Sequence, residues 1–439
     1  MLKLDLKRLC REITEREVFQ TAGKLRSATG LLLSCTLPAA VGDTCEIQTL
    51  SGGNVLAEVI GFANGMAHLA AFERGGKVHP GMPVVRKGHG FSVPVGDVLL
   101  GRVLDGLGRP MDNRGPLRGC EWRSLDRAAP VPLERARIQK PFITGQRVLD
   151  GLLTLGQGQR VGIFAGSGVG KSTLLGEIAK GSAADVNVIA LVGERGREVR
   201  PFLDDCIGKE GMAKSVVVVA TSDQTPLMRV RAAQVAITIA DAYRDRGANV
   251  LLMMDSLTRL AMAQRELGLA LGEPPSARGY TPSVFQLLAD TVERLGNGAR
   301  GSITGILTVL VDGGDLDEPI SDSVRSLVDG HIVLDRRLAE RGHYPAVNVG
   351  RSVSRTAHEV TNSTHQEAAR KLREILATYT EAEDLIRIGA YAKGTSPQVD
   401  RAVELMPAVL AFLKQRTNER STWEHTETAL AHIAASWPF

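Results

Sequence analysis

The sequence predicts an α/β fold on a mostly parallel sheet, preceded by a small β-barrel or sandwich and followed by a helical unit. Three observations carry this. From about residue 145 to 350, short apolar runs alternate with helix-length segments, the signature of βα units. From about 20 to 90, short segments rich in Val, Ile, Leu and Thr are cut by Gly-Asp, Gly-Gly and Asn-Gly turns. Beyond about 359, apolar residues recur at helical spacing. The 439 residues suffice for two or three domains at roughly 150 residues each.

The elements follow in order. Residues 1–18 place Leu2, Leu6, Leu9, Cys10 and Ile13 at helical spacing among Lys3, Lys7, Arg8 and Arg11, which predicts a short amphipathic helix. Such a helix either packs on its own domain or serves as a docking handle. Residues 19–92 form the predicted barrel, with strands such as Val55–Ile60 and Met66–Phe72 after their Gly-containing turns. Residues 93–358 form the α/β core. Its buried strands are read at Arg160–Ala165, Asn187–Val192, Ser215–Ala220, Asn249–Met254, Ser302–Val311 and His331–Leu334. Residues 359–439 form the helical domain, with Leu372, Ile375, Leu376 and Tyr379, then Val403, Met406, Leu410 and Leu413, on its inward stripes.

Composition narrows the function classes. The chain is 43% hydrophobic and 23% charged with a net charge of +4, too thin an excess to argue for a nucleic-acid or membrane partner. No apolar run approaches the roughly 18 residues of a membrane span, and the charged N-terminus does not read as a secretory signal. Cys10, Cys35, Cys45, Cys120 and Cys206 are scattered without a CxxC pair, so they read as incidental thiols of a reducing compartment.

Four motifs carry chemistry. Ala165-Gly166-Ser167-Gly168-Val169-Gly170-Lys171-Ser172-Thr173 follows an apolar strand and opens a helix, the context of a phosphate-binding loop. Its backbone N–H groups and the helix N-terminus attract phosphate, Lys171 reaches the β and γ phosphates, and the Ser172 hydroxyl ligates Mg²⁺. Ala165 stands where the pattern has its first glycine, and one methyl there need not block the nest. Leu251-Leu252-Met253-Met254-Asp255 is an apolar strand ending in the carboxylate that holds the metal's water shell. Glu194, in Val192-Gly193-Glu194-Arg195-Gly196, is placed to orient the attacking water, with Arg195 beside the γ-phosphate. Arg355 is a candidate finger for a neighbouring subunit's γ-phosphate, although spacing alone does not separate it from a surface arginine.

These residues resemble a known family. Gly101-Arg102-Val103-Leu104-Asp105-Gly106-Leu107-Gly108-Arg109-Pro110, the phosphate loop, Gly193-Glu194-Arg195 and the run Pro345 to Ser354 are similar to the catalytic subunits of rotary ATPases. Pro274-Pro275-Ser276-Ala277-Arg278-Gly279-Tyr280, Asp329 to Arg336 and Arg341-Gly342-His343-Tyr344-Pro345 look like the export ATPases of bacterial flagella and type III secretion systems. The resemblance implies a RecA-like P-loop core between the barrel and the helical domain, and a homohexamer with ATP sites between subunits. It implies Mg²⁺-dependent ATP hydrolysis that energises protein export, at the cytoplasmic face of the export apparatus. Carried over, it assigns Lys171 and Ser172 to phosphates and Mg²⁺, Glu194 to water activation, Arg195 to the γ-phosphate, Asp255 to the metal region, Arg355 to the neighbour's site and Tyr344 to the adenine. Implied partners are a stator-like regulator at the N-terminal helix, a central stalk, the membrane export gate, and exported proteins with their chaperones, with no nucleic acid. Leu334 to Pro345 leans toward a flagellar rather than a virulence-type apparatus. Two departures stand out: Gly313 replaces an acidic residue of the family run, and Gly394-Thr395-Ser396-Pro397 lacks the expected Asp before Pro.

Other classes fit less well. A regulatory subunit without turnover would carry a non-acidic residue at 194. A ring nucleic-acid translocase is weakened by the 4% aromatic content. A rotary synthase subunit would need a different chain to carry the finger, whereas Glu194 and Arg355 lie on one polypeptide. A ring of identical copies could therefore complete every site.

Overall fold

The computed structural model describes residues 21–49, 53–74, 77–88, 90–311 and 314–439. The predicted helix over 1–18 and the Gly313 position lie outside the described residues.

The first unit is a closed antiparallel barrel of six strands: β1 (Ala22–Thr29), β2 (Leu32–Thr36), β3 (Thr44–Gln48), β4 (Asn54–Ala63), β5 (Met66–Ala71) and β6 (Pro83–Gly88), in the order β1-β2-β5-β4-β3-β6. Alternation fills its interior: in β3, Cys45 and Ile47 point inward while Thr44, Glu46 and Gln48 do not. Asn64 and Gly65 both adopt positive φ, the geometry that a two-residue hairpin between β4 and β5 demands. Closure removes the sheet edges that a small β unit would otherwise expose.

The core is a nine-stranded sheet. Its main path comprises β7 (Val103–Asp105), β8 (Arg160–Ala165), β9 (Val186–Val192), β10 (Ser215–Ala220), β11 (Asn249–Asp255), β12 (Ser302–Leu310), β13 (Gly330–Leu334) and β14 (Val353–Ser354). The spatial order is β14-β13-β8-β12-β11-β9-β10-β7, parallel except for the antiparallel edge strand β14. Both faces are covered, so the inner strands read as near-continuous apolar runs rather than alternating, interrupted by a few polar residues such as Asn187 and Thr308. In β9, Val188, Ala190 and Val192 pack toward helices α2 (Pro226–Asp245) and α3 (Leu257–Ala270). Ile189 and Leu191 pack on the other face, toward α1 (Lys171–Gly181). The α2 helix starts where Thr225 Oγ1 accepts the Met228 N–H at 3.2 Å and Pro226 pre-sets the first turn.

The C-terminal unit is three helices, α4 (Ser363–Arg387), α5 (Pro397–Leu413) and α6 (Trp423–Ala435). Leu372 and Ile375 are fully buried, as their spacing predicts. Val403 is the exception: α5 buries Ala402, Met406, Val409 and Leu413, and Val403 sits off that stripe at 37% exposure. Arg147, on the short helix Arg147–Leu152, fastens this unit to the core. Its guanidinium donates to the Phe412 carbonyl at 3.0 Å and the Lys414 carbonyl at 2.5 Å, and pairs with Glu419 at 2.5 Å. These are carbonyls at the end of α5, where no intrahelical partner remains.

Among the described residues no helix is long and apolar enough to cross a membrane, and Cys35, Cys45, Cys120 and Cys206 are free thiols.

Candidate active site

Strand β8 lies between β12 and β13 and delivers residues 166–170 at the carboxyl edge of the sheet. Gly168 (φ +78°) and Gly170 (φ +88°) hold left-handed backbone that a side chain would resist. Helix α1 begins at Lys171 immediately after Gly170. A Cβ on Gly170 would also lie 3.2 Å from the Tyr344 ring, so the tyrosine packs on the last glycine of the loop. From the β13 side, Arg336 donates to the Ser167 carbonyl at 3.2 Å.

Register explains why the acidic residues meet. Leu191 of β9 is level with Asp255 of β11, so Glu194 emerges just beyond the end of β9, beside Asp255. Lys171 Nζ donates to Asp255 Oδ1 at 2.5 Å and lies 3.9 Å from Glu194 Oε1. Thr308 of β12 donates to the same Asp255 oxygen at 2.8 Å. Arg259, on the first turn of α3, brings its Nε to 3.2 Å from Glu194 Oε1. A Cβ on Gly193 would lie 2.9 Å from Arg259 Cβ, so glycine there lets the arginine approach.

Two carboxylates, a lysine and an arginine therefore share one partly desolvated site. Burial pushes the Glu194 carboxyl above the usual carboxylate range, the Asp255 charge adds to the shift, and Lys171 and Arg259 oppose it. Glu194 Oε1 is buried and its contacts are ionic, with Arg259 Nε at 3.2 Å and Lys171 Nζ at 3.9 Å. A partly desolvated carboxyl with a raised affinity for protons suits a general base.

A cleft of about 750 Å³ adjoins the loop, with Gly170, Thr173, Tyr344, Arg147, Lys414 and Gln415 among its walls. That volume accommodates a nucleotide-sized ligand. Gln415 spans the cleft wall: its side chain accepts the Arg147 N–H at 2.9 Å and donates to the Gly145 carbonyl at 2.7 Å. Its own N–H donates to the Tyr344 carbonyl at 2.9 Å.

The structure brings the predicted loop residues 165–173, Glu194, Asp255 and Tyr344 together. Arg195 instead pairs with Glu198 at 3.0 Å and is 59% exposed. Arg355 is exposed at the opposite end of the sheet, because Ser354 pairs with Gly330 at the start of β13. That is about five strand residues, roughly 16 Å, below the loop. Sequence reasoning missed Arg259, Thr308 and Gln415. Only Arg259 left a signal, standing one helical turn beyond Asp255.

The donor set fits Mg²⁺. Ser172 is an exposed hydroxyl at the start of α1, and Asp255 is a hard oxygen donor beside Lys171. Among the described residues no group of three or more His, Cys, Asp or Glu could hold a metal by itself. Mg²⁺ ordinarily relies on one or two side chains together with phosphate oxygens.

Comparison with known proteins agrees with this geometry. Residues 145–354 match the nucleotide-binding domain of the ATP synthase alpha/beta family, and residues 361–432 match the C-terminal domain of the type III secretion ATPase EscN. The chain is 48% identical over 430 residues to the flagellum-specific ATP synthase of Bacillus subtilis, covering 97% of this chain and 98% of that one. It is 45% identical over 425 residues to the type 3 secretion system ATPase of Xanthomonas euvesicatoria, covering 96% of each. The assembled EscN of enteropathogenic E. coli superposes with a TM-score of 0.89 at 45% identity, over 94% of this chain and 100% of that one. EscN in complex with its central stalk EscO gives a TM-score of 0.87 at 46% identity, over 94% and 100%. With its barrel, RecA-like P-loop core and helical C-terminal domain, the chain belongs to the family of flagellum-specific and type III secretion ATPases.

Proposed function

We propose that the chain is the Mg²⁺-dependent ATPase that energises protein export through a flagellar-type secretion apparatus, working as a homohexameric ring on a central stalk. The observation that carries this reading is the meeting of Lys171, Glu194 and Asp255 at one phosphate loop, in a chain that aligns end to end with export ATPases. An apparatus of the virulence type is the alternative reading, which the 45% identity to a type 3 secretion ATPase keeps close.

In this reading Tyr344 packs against the adenine, the loop N–H groups and Lys171 hold the β and γ phosphates, and Ser172 with Asp255 holds Mg²⁺. The ion, when bound, neutralises charge developing on the phosphate oxygens. Lys171, paired with Asp255 before ATP arrives, exchanges part of that contact for phosphate. Glu194 takes up the proton of the attacking water. Arg259 orients that carboxylate and reaches toward the γ-phosphate side. Arg195 is the more distant candidate for the same group. Arg355, remote from its own loop, serves the loop of the next copy, where a cation stabilises transition-state charge by roughly 10³ to 10⁵ in rate.

The ring would sit at the cytoplasmic face of the export gate, with a stator-like regulator on the N-terminal segment and exported proteins with their chaperones as clients. The test replaces the chain in its host by Lys171→Ala and follows secreted flagellar proteins in the medium. Loss of secretion with normal protein levels is expected; unchanged secretion refutes the role.

A further inference from the structure

The residue that begins the P-loop strand grips the residue whose carbonyl holds the Arg355 backbone. Arg160, first in β8, grips Asp329 with both prongs: Nε to Oδ2 at 3.0 Å and Nη2 to Oδ1 at 3.0 Å. Its backbone N–H donates to the same carboxylate at 3.0 Å, and its carbonyl accepts the Asp329 N–H at 2.8 Å. Asp329 then uses its own carbonyl to accept the Arg355 N–H at 2.9 Å. Gln159 closes the loop by donating to the Asp329 carbonyl and to Ser354 Oγ, each at 3.1 Å. Outside, Glu293 braces Arg160 Nη1 at 2.8 Å, and Arg135 meets Glu293 at 3.3 Å.

A bidentate arginine–carboxylate pair fixes orientation as well as distance. Arg160 and Asp329 are 19% and 25% exposed, so solvent screens the pair only in part. The Arg355 side chain, by contrast, is exposed within its own chain. A long side chain that must reach a neighbour's phosphate needs its backbone held still, and this clamp adds to the pairing of β14 with β13 in holding it.

We propose that Arg160 and Asp329 are positioning residues for Arg355. The six-residue strand β8 then ties the chain's own P-loop at one end to the finger for the next site at the other. The proposal rests on the reading of Arg355 as a residue supplied in trans. A misplacement of about 1 Å at a reacting group can cost on the order of 10²-fold in rate. Asp329→Asn and Arg160→Gln should therefore lower kcat about 10- to 100-fold with KM for ATP little changed.

The deciding experiment is complementation. Asp329→Asn chains keep an intact P-loop, and Lys171→Ala chains keep a well-held finger. Mixed in equal amounts, they should regain a substantial part of the lost activity, as should Arg160→Gln with Lys171→Ala. A general packing role would damage the variant's own P-loop, and a neighbour's finger would not repair it. Arg355→Ala with Lys171→Ala is the control. If that control recovers activity while neither clamp variant does, the clamp proposal is overturned and the trans reading stands. If the control itself recovers nothing, the trans reading fails first. A wild-type kcat in both clamp variants also overturns the clamp.

Discussion

Glu194→Gln separates binding from chemistry at this site. The substitution keeps the shape of the side chain and removes its capacity to take a proton. A positioned general base contributes roughly 10² to 10⁴ in rate, or about 3–5 kcal/mol at 1.36 kcal/mol per decade. The neighbouring Asp255 is a poor substitute, since its Oδ1 is already engaged by Lys171 at 2.5 Å and Thr308 at 2.8 Å. ATP affinity should change little, since Glu194 lies 3.9 Å from Lys171 and contributes weakly to holding it. Stability should move the other way. Glu194 is held above its unfolded range, so the folded state binds the proton more tightly. Its contribution to stability is then present below the unfolded range and lost as pH rises through the folded one. At neutral pH the ionised side chain is a cost, and the neutral glutamine should raise Tm while abolishing turnover. Single-turnover hydrolysis, equilibrium ATP binding and a melting curve at neutral pH measure the three effects. A hydrolysis rate within tenfold of wild type would refute Glu194 as the base, and a lowered Tm would refute the electrostatic argument.

Three further outcomes follow from the same geometry. Tyr344→Ala should raise KM for ATP by about five- to a hundredfold, from the roughly 1–3 kcal/mol of an aromatic–base contact, while Tyr344→Phe stays near wild type in steady-state kinetics. Arg147→Ala strips the α5 carbonyls of their donors, and at roughly 1–3 kcal/mol per buried unsatisfied group it should destabilise the chain by about 2–4 kcal/mol in urea unfolding. Asp150 is buried and pushed up to about 6 by desolvation, against three hydrogen bonds donated by Thr144 N–H, Thr144 Oγ1 and Gly145 N–H. Its stabilising contribution is therefore lost as pH rises from about 4 to about 6, and Asp150→Asn should flatten the pH dependence of unfolding free energy in that window.

The parallel strands were legible because burial on both faces leaves continuous apolar runs; Ser215–Ala220 is both the run in the sequence and the strand in the fold. β7 was not, since three residues inside a glycine-rich stretch carry no periodicity of their own. The phosphate loop and Asp255 were readable from a local motif and a strand end. Thr308 and Gln415 were not, because their roles arise from partners far away in the chain: Asp255 for the first, Arg147 and Gly145 for the second. The clamp on Arg355 was hidden for the same reason, as Arg160 and Asp329 are 169 residues apart. Arg195 shows the converse case, in which a motif places a residue beside a site while the fold pairs it with its helical neighbour Glu198.

The central claim, that each ATP site is completed by the next copy of the same chain, is tested most directly by ATPase rate against protein concentration. Wild type is compared with an equal mixture of Lys171→Ala and Arg355→Ala chains, each nearly inactive alone. Specific activity that climbs with concentration, and a mixture that regains part of it, is the predicted result. Activity independent of concentration, with nothing restored on mixing, would contradict the shared site and leave Arg355 without a role in catalysis.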